Sequence, residues 1–159
     1  MSPYWKYALA LAAAGAIAWA APAAPSLAAG SIVEPVKNEG DYEKAVKAVK
    51  SEKYKDAIEL LQKVVQKEPA KADAWNYLGY SQRKTGKYDD ALKSYTRALD
   101  IDPKHKGAHE YVGELYLQTD NLPKAEEHLK KLSALCGSCD ERKDLEKAVA
   151  AYKKAKGIS

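Results

Sequence analysis

The sequence predicts an all-α protein built as a stack of helix-turn-helix repeats, and three observations carry the prediction. From residue 38 to the end, apolar residues recur at helical spacing and no stretch shows the alternation of a strand. Only turn residues interrupt that pattern. Sliding the chain against itself by about 34 residues brings Tyr54 onto Tyr88 and Leu122, Ala57 onto Ala91 and Ala125, Leu61 onto Tyr95 and Leu129, Val64 onto Ala98 and Leu132, and Pro69 onto Pro103.

The first 28 residues stand apart. Lys6 is the only charge before Glu34, and it precedes an Ala-rich apolar run from Tyr7 to Ala21, followed by Pro22, Pro25 and Ser26-Leu27-Ala28. A basic start, an apolar middle and a small-x-small end make a secretory signal peptide, so residues 1–28 are expected to be removed on export, with the cut after Ala28. A membrane anchor needs roughly 20 strongly apolar residues, more than this run with its two prolines supplies. Membrane contact is therefore expected only through an uncleaved signal segment, and the expected compartment is the periplasm. Without Lys6 the mature chain holds 25 basic and 22 acidic residues, a net +3. The charges alternate in sign and no basic block is interleaved with aromatics, which argues against a nucleic-acid partner. Residues 29–37, with Gly30 and Pro35, read as an extended linker.

The remaining 38–159 divide into repeats at 38–71, 72–105 and 106–139. Each is two helices, A and B, parted by a turn near Glu52-Lys53, Gly86-Lys87 and Asp120-Asn121. Gly86 and Asn121 suit a turn, since Gly reaches positive φ freely and Asn tolerates it better than most residues. A small column in helix A (Ala45, Gly79, Gly113) is expected to face a small column in helix B (Ala57, Ala91, Ala125). Residues 140–156 continue the helical period through Leu145, Ala148, Val149 and Tyr152, and read as a capping helix over the open end of the stack. The first repeat is more polar than the second, with Asp41 and Lys44 where Trp75 and Leu78 stand, as suits an exposed end.

The second repeat resembles the tetratricopeptide repeat (TPR): Trp75, Leu78, Gly79, Gly86, Tyr88, Ala91, Tyr95, Ala98 and Pro103 fall where that family places its residues. The third matches through Val112, Gly113, Tyr116, Leu122 and Ala125, and departs where Gly137 replaces the expected proline. The first matches through Ala45, Tyr54, Ala57 and Pro69. The resemblance implies a right-handed α-solenoid of three repeats plus the capping helix, with A helices lining a concave groove that holds a partner's segment. Carried over by position, the groove displays Tyr42, Val46 and Val49; Asn76, Tyr80, Arg83 and Lys84; and Glu110, Glu114, Leu117 and Gln118. Aromatic and Arg side chains dominate contact energies, so Tyr42, Asn76, Tyr80 and Arg83 are the expected centre. The family's carboxylate clamp for a partner's C-terminus has only Asn76 here; Tyr42, Val46, Gly107 and Tyr111 occupy its other positions.

Cys136-Gly-Ser-Cys139 is the one motif with intrinsic chemistry. Haem attachment needs His directly after the second Cys, and residue 140 is Asp. Zinc needs a second ligand pair, and only His128 and acids such as Asp140 are near. A redox dithiol places its first Cys at a helix start, where the dipole lowers the thiol pKa, whereas Cys136 ends a helix. An oxidising compartment favours a structural Cys136–Cys139 disulfide that fixes how the cap meets the third repeat. His105, His109 and His128 lack a nucleophile or metal spacing, and the single glycines make no phosphate loop. No catalytic residue, metal or cofactor is expected. The function the sequence predicts is a non-enzymatic scaffold or adaptor that binds another protein or peptide in its groove. The alternatives are a redox-active repeat protein using Cys136 and Cys139 on a client, and a self-assembling homo-oligomer.

Overall fold

In the computed structural model, which describes residues 40–158, seven α-helices follow one another. They are α1 (Asp41–Lys50), α2 (Tyr54–Lys67), α3 (Ala72–Lys84), α4 (Tyr88–Ile101), α5 (Lys106–Gln118), α6 (Leu122–Cys136) and α7 (Asp140–Lys156). The expected signal peptide at 1–28 and linker at 29–37 lie outside the described residues. Charge placement favours the terminal helices. Asp41 and Glu43 open α1 and Lys47 and Lys50 close it, while Asp140 and Glu141 open α7 and Lys153, Lys154 and Lys156 close it, each sign opposing the local end of the helix dipole. Among the described residues no helix is long and apolar enough to cross a membrane.

Three turns join α1 to α2, α3 to α4 and α5 to α6, and all three use one device. Glu52, Gly86 and Asp120 take positive φ at 57°, 78° and 56°. The next residue's N–H then reaches back to a carbonyl of the preceding helix: Lys53 to Ala48 (2.9 Å), Lys87 to Gln82 (2.9 Å) and Asn121 to Tyr116 (2.7 Å). This closure satisfies carbonyls that the helix end would leave unpaired. The positive-φ residue of the third turn is thus Asp120, where the sequence pointed to Asn121. Asn121 instead caps α6, its Oδ1 accepting from Lys124 N at 3.3 Å. A side-chain oxygen that can satisfy a free helix N–H is better used there than in the turn.

Buried Ala45, Ala57, Ile58, Leu61, Val64 and Leu78 join α1, α2 and α3 in one core cluster. Ala91, Tyr95, Val112 and Leu115 join α4 to α5, and Leu117, Ala125, Leu132, Leu145 and Val149 join α5, α6 and α7. The expected small columns are enclosed, but they do not simply face each other. A Cβ on Gly79 would lie 2.7 Å from the Tyr95 ring, and one on Gly113 would lie 2.5 Å from Leu145 Cδ2. Each glycine makes room for a large side chain, and at Gly113 that side chain comes from the capping helix.

The helices pack in chain order, and α1 also touches α3, α3 touches α5 and α5 touches α7. The even helices α2, α4 and α6 do not touch one another. An array in which alternate helices meet on one side only is bent toward that side, so the odd helices line the inner face.

Candidate partner-binding face

The repeat spacing places equivalent residues side by side on the odd helices. One row is Tyr42, Asn76 and Glu110, and it continues onto the capping helix at Asp144. A second, one turn along, is Val46, Tyr80, Glu114 and Ala148, and a third holds Val49, Arg83 and Leu117. Contacts bring Tyr80, Arg83, Lys84 and Glu114 together, and several candidate residues have less exposure than a solvated groove implies. Asn76 is 5% exposed, Arg83 6% and Glu110 9%. Leu117 belongs to the core, packed where α7 covers α5. Lys84 is exposed at the rim, while Tyr42, Tyr80 and Glu114 are half-buried.

Tyrosines make the floor. The Tyr80 ring lies 4.8 Å from Tyr111 and 6.0 Å from Tyr54, and Tyr42 lies 6.4 Å from Tyr77, centroid to centroid. Tilted pairs at these separations are favourable quadrupole arrangements. Cations sit over them: Lys71 Nζ is 4.4 Å from the Tyr42 centroid, and the Arg83 guanidinium is 5.4 Å from Tyr80 and 5.8 Å from Tyr111. Burial pushes the Tyr42 hydroxyl up to about 12, so it stays a neutral hydrogen-bonding group at neutral pH.

Among the described residues, Arg83 and Glu114 form the one ion pair on this face with a deeply buried member. Arg83 Nη2 is 2.6 Å from Glu114 Oε2, with the guanidinium almost fully enclosed. Arg83 Nε and Asn76 Oδ1 are both enclosed without a hydrogen-bonding partner. Beyond this pair, between α3, α5 and α7, opens a depression of about 430 Å³ lined by Arg83, Glu114, Leu117, Gln118, Ala148 and Tyr152. Glu110, one turn before Glu114, is pushed up to about 8 by burial and then by the neighbouring Glu114, Asp144 and Glu141 carboxylates, against which Arg83 is the opposing charge.

A histidine pair is the feature that sequence spacing could not reveal. His105 stands before α5 as its N-cap, with Nδ1 accepting from Ala108 N at 3.1 Å and Nε2 3.0 Å from Asp73 Oδ1. His109, inside α5, is buried with Nε2 3.0 Å from the Pro103 carbonyl and Nδ1 2.9 Å from Nδ1 of His128 on α6. A carbonyl only accepts, so His109 Nε2 carries its proton, and the lone pair on its Nδ1 receives the His128 Nδ1–H. The equivalent position one repeat earlier is Trp75, whose Nε1–H donates to the Pro69 carbonyl at 3.0 Å. His109 thus reproduces the bond of a tryptophan, a signal present in the repeat alignment. His128 comes from another helix and carries no such signal. Burial, followed by His109 and Lys131, drives His128 down to about 4, and burial also lowers His109.

Cys136 closes α6 and Cys139 is the N-cap of α7. Their Cα atoms are 5.6 Å apart, within the span a disulfide bridges. Among the described residues no three or more His, Cys, Asp and Glu side chains converge as metal ligands do.

Two family models, each described as a tetratricopeptide repeat, match residues 42–105 and 82–135. No curated protein sequence matches. Among solved structures, the Yersinia enterocolitica type III secretion chaperone SycD in complex with a peptide of the translocator YopD is 27% identical, with TM-score 0.63, covering 72% of this chain and 88% of that one. MamA from Desulfovibrio magneticus RS-1 (residues 41 to the end) is 29% identical with TM-score 0.59, covering 63% of this chain and 56% of that one. The first TPR domain of Spaghetti, bound to the HSP90 peptide SRMEEVD, shares 17% identity and the fold, with TM-score 0.66 over 74% of this chain and 90% of that one. Helix pairs closed by the same reverse turn, the α-solenoid likeness and both family models agree: the chain belongs to the tetratricopeptide repeat family.

Proposed function

We propose that this protein is an interaction scaffold whose inner face, formed by α1, α3, α5 and α7, holds a segment of a partner protein. The observation that carries the reading is the presence of half-buried tyrosines on the inner face, Tyr42 against Tyr77 and Tyr80 against Tyr111, with the Arg83 guanidinium over the second pair. Half-buried aromatic rings beside a cation give a partner's side chains a large contact area with little conformational freedom to lose. Support also comes from relatives of the same fold solved with peptides, SycD with a YopD peptide and the Spaghetti domain with an HSP90 peptide. Tyr42, Tyr80, Lys84 and Glu114 are accessible enough to touch the segment directly, whereas Arg83 acts from beneath them. The scaffold role requires no catalysis. The proposal includes export, with residues 1–28 removed and the mature chain working in the periplasm, where Cys136 and Cys139 form a disulfide between α6 and the capping helix.

A photo-crosslinking amino acid placed at Tyr80 on the inner face, and in a second protein at Arg97 on the exposed side of α4, tests the reading in the native compartment. A partner joined through position 80 and not through position 97 is expected. Equal capture at both positions, or capture at 97 alone, overturns it.

A further inference from the structure

We propose that the partner segment presents a lysine or arginine side chain whose cation settles against Glu110, in the acidic corner between α5 and α7. The inference rests on the reading of the inner face as the docking face and adds the chemistry of what docks there.

The corner is built by the repeat register. Glu110 occupies the position held by Tyr42 and Asn76 in the earlier repeats, and the capping helix adds Asp144 at the same position and Glu141 one turn before it. Glu114 follows one turn later on α5. Among the described residues, Arg83 pairs with Glu114 at 2.6 Å and Lys106 with Glu141 at 3.8 Å, so these two cations are already engaged. Glu110 itself is 9% exposed and has neither a hydrogen bond nor an ion pair among the described residues. A carboxylate so placed is costly to keep charged and unpaired. Its oxygens are not among the fully enclosed unpartnered atoms, so they keep some contact with solvent.

A cation meets all of these conditions at once. It supplies the absent counter-charge, faces four acids, and lays its aliphatic stem along the Tyr80 and Tyr111 rings beside Arg83. An acidic segment would place its charge against the same carboxylates, which is unfavourable, so a peptide of the SRMEEVD type seen on the Spaghetti domain suits this corner poorly.

Because Glu110 alone holds a proton up to about pH 8, docking of the cation releases that proton to solvent and leaves a carboxylate–ammonium or carboxylate–guanidinium pair. Affinity is therefore expected to fall as pH drops below about 8. The groups acting on Glu110 in this range are Glu114 on its own helix, Glu141 and Asp144 from α7, and Arg83 from α3.

The test uses the purified full chain and a random short-peptide library as probe. Peptides retained by the wild type and lost by Tyr80→Ala are sequenced, and one is resynthesised with its Lys or Arg replaced by norleucine. A basic residue at a fixed place, binding at least about tenfold weaker after the swap, and equal affinity of both peptides for Glu110→Gln are expected. Gln is isosteric with the neutral, protonated Glu110, so the variant retains the fold; proton release by the wild type, read as buffer-dependent binding enthalpy, checks the same point without mutation. Tyr80-dependent peptides that lack a fixed basic residue, that tolerate the swap or that are acidic overturn the inference and leave the docking face standing. Failure to recover any Tyr80-dependent peptide overturns both.

Discussion

The buried histidine pair makes the sharpest prediction for stability. His128 is held at about 4 against 6.5 for an ordinary histidine. Its folded pKa lies below its unfolded one, so between these values the unfolded chain binds more protons and stability is lost as pH falls from about 6.5 through about 4. At about 1.4 kcal/mol per pH unit, that difference amounts to about 3 kcal/mol from His128. A second proton on the pair costs more, because it would set two N–H groups against each other across the 2.9 Å between the Nδ1 atoms. The perturbation is His128→Asn, whose amide can donate from the position of Nδ1 but does not titrate. Urea unfolding followed by circular dichroism, at steps from pH 7.5 to 4, is the assay. Both proteins share every other titrating group, His109 included, so the difference between their profiles isolates His128 and its coupling to His109. The wild type is expected to lose about 2–3 kcal/mol more than the variant over this range. Parallel profiles would refute the reasoning, since they would mean that the imidazoles accept protons in the folded state as readily as in the unfolded one.

Glu110 acts in the opposite sense. Its pKa is raised from 4.5 to about 8, so its cost grows as pH rises between these values; Glu110→Gln is expected to match the wild type near pH 5 and to exceed its stability at pH 9 by a few kcal/mol, with about 5 kcal/mol as the ceiling, in the same urea assay. Gly79→Ala drives a methyl into the enclosed Tyr95 ring and is expected to destabilise by about 1–3 kcal/mol despite the better helix propensity of Ala, which thermal unfolding reads directly. Gly113→Ala displaces Leu145 instead, so hydrogen exchange should quicken in α7 and α5 while α1 and α2 keep wild-type protection. Protein isolated from the exported fraction without reductant should show no labelling of Cys136 or Cys139, and reduction should cost roughly 2 kcal/mol at most, as the loop is short; two reactive thiols would end the proposal of a disulfide.

The architecture was legible in the sequence because it is repeated. Each repeat must bury a helix face against its neighbour with the same few side chains, so Ala57, Ala91 and Ala125, or Pro69 and Pro103, return at one spacing, and local periodicity plus that spacing determines helices, turns and order of packing. The candidate residues of the inner face were legible for the same reason, since equivalent positions on successive helices must fall on one side. What only the tertiary structure decided was how deep those residues lie and which others they meet. Asn76, Arg83 and Glu110 look like solvated polar positions in the sequence, and they are enclosed because adjacent odd helices and α7 close over them. His109 and His128 lie on different helices, and no spacing rule brings them to 2.9 Å. Periodicity records which face of a helix points inward; the solvent access, charge state and partners of a side chain depend on what the next helices place against it.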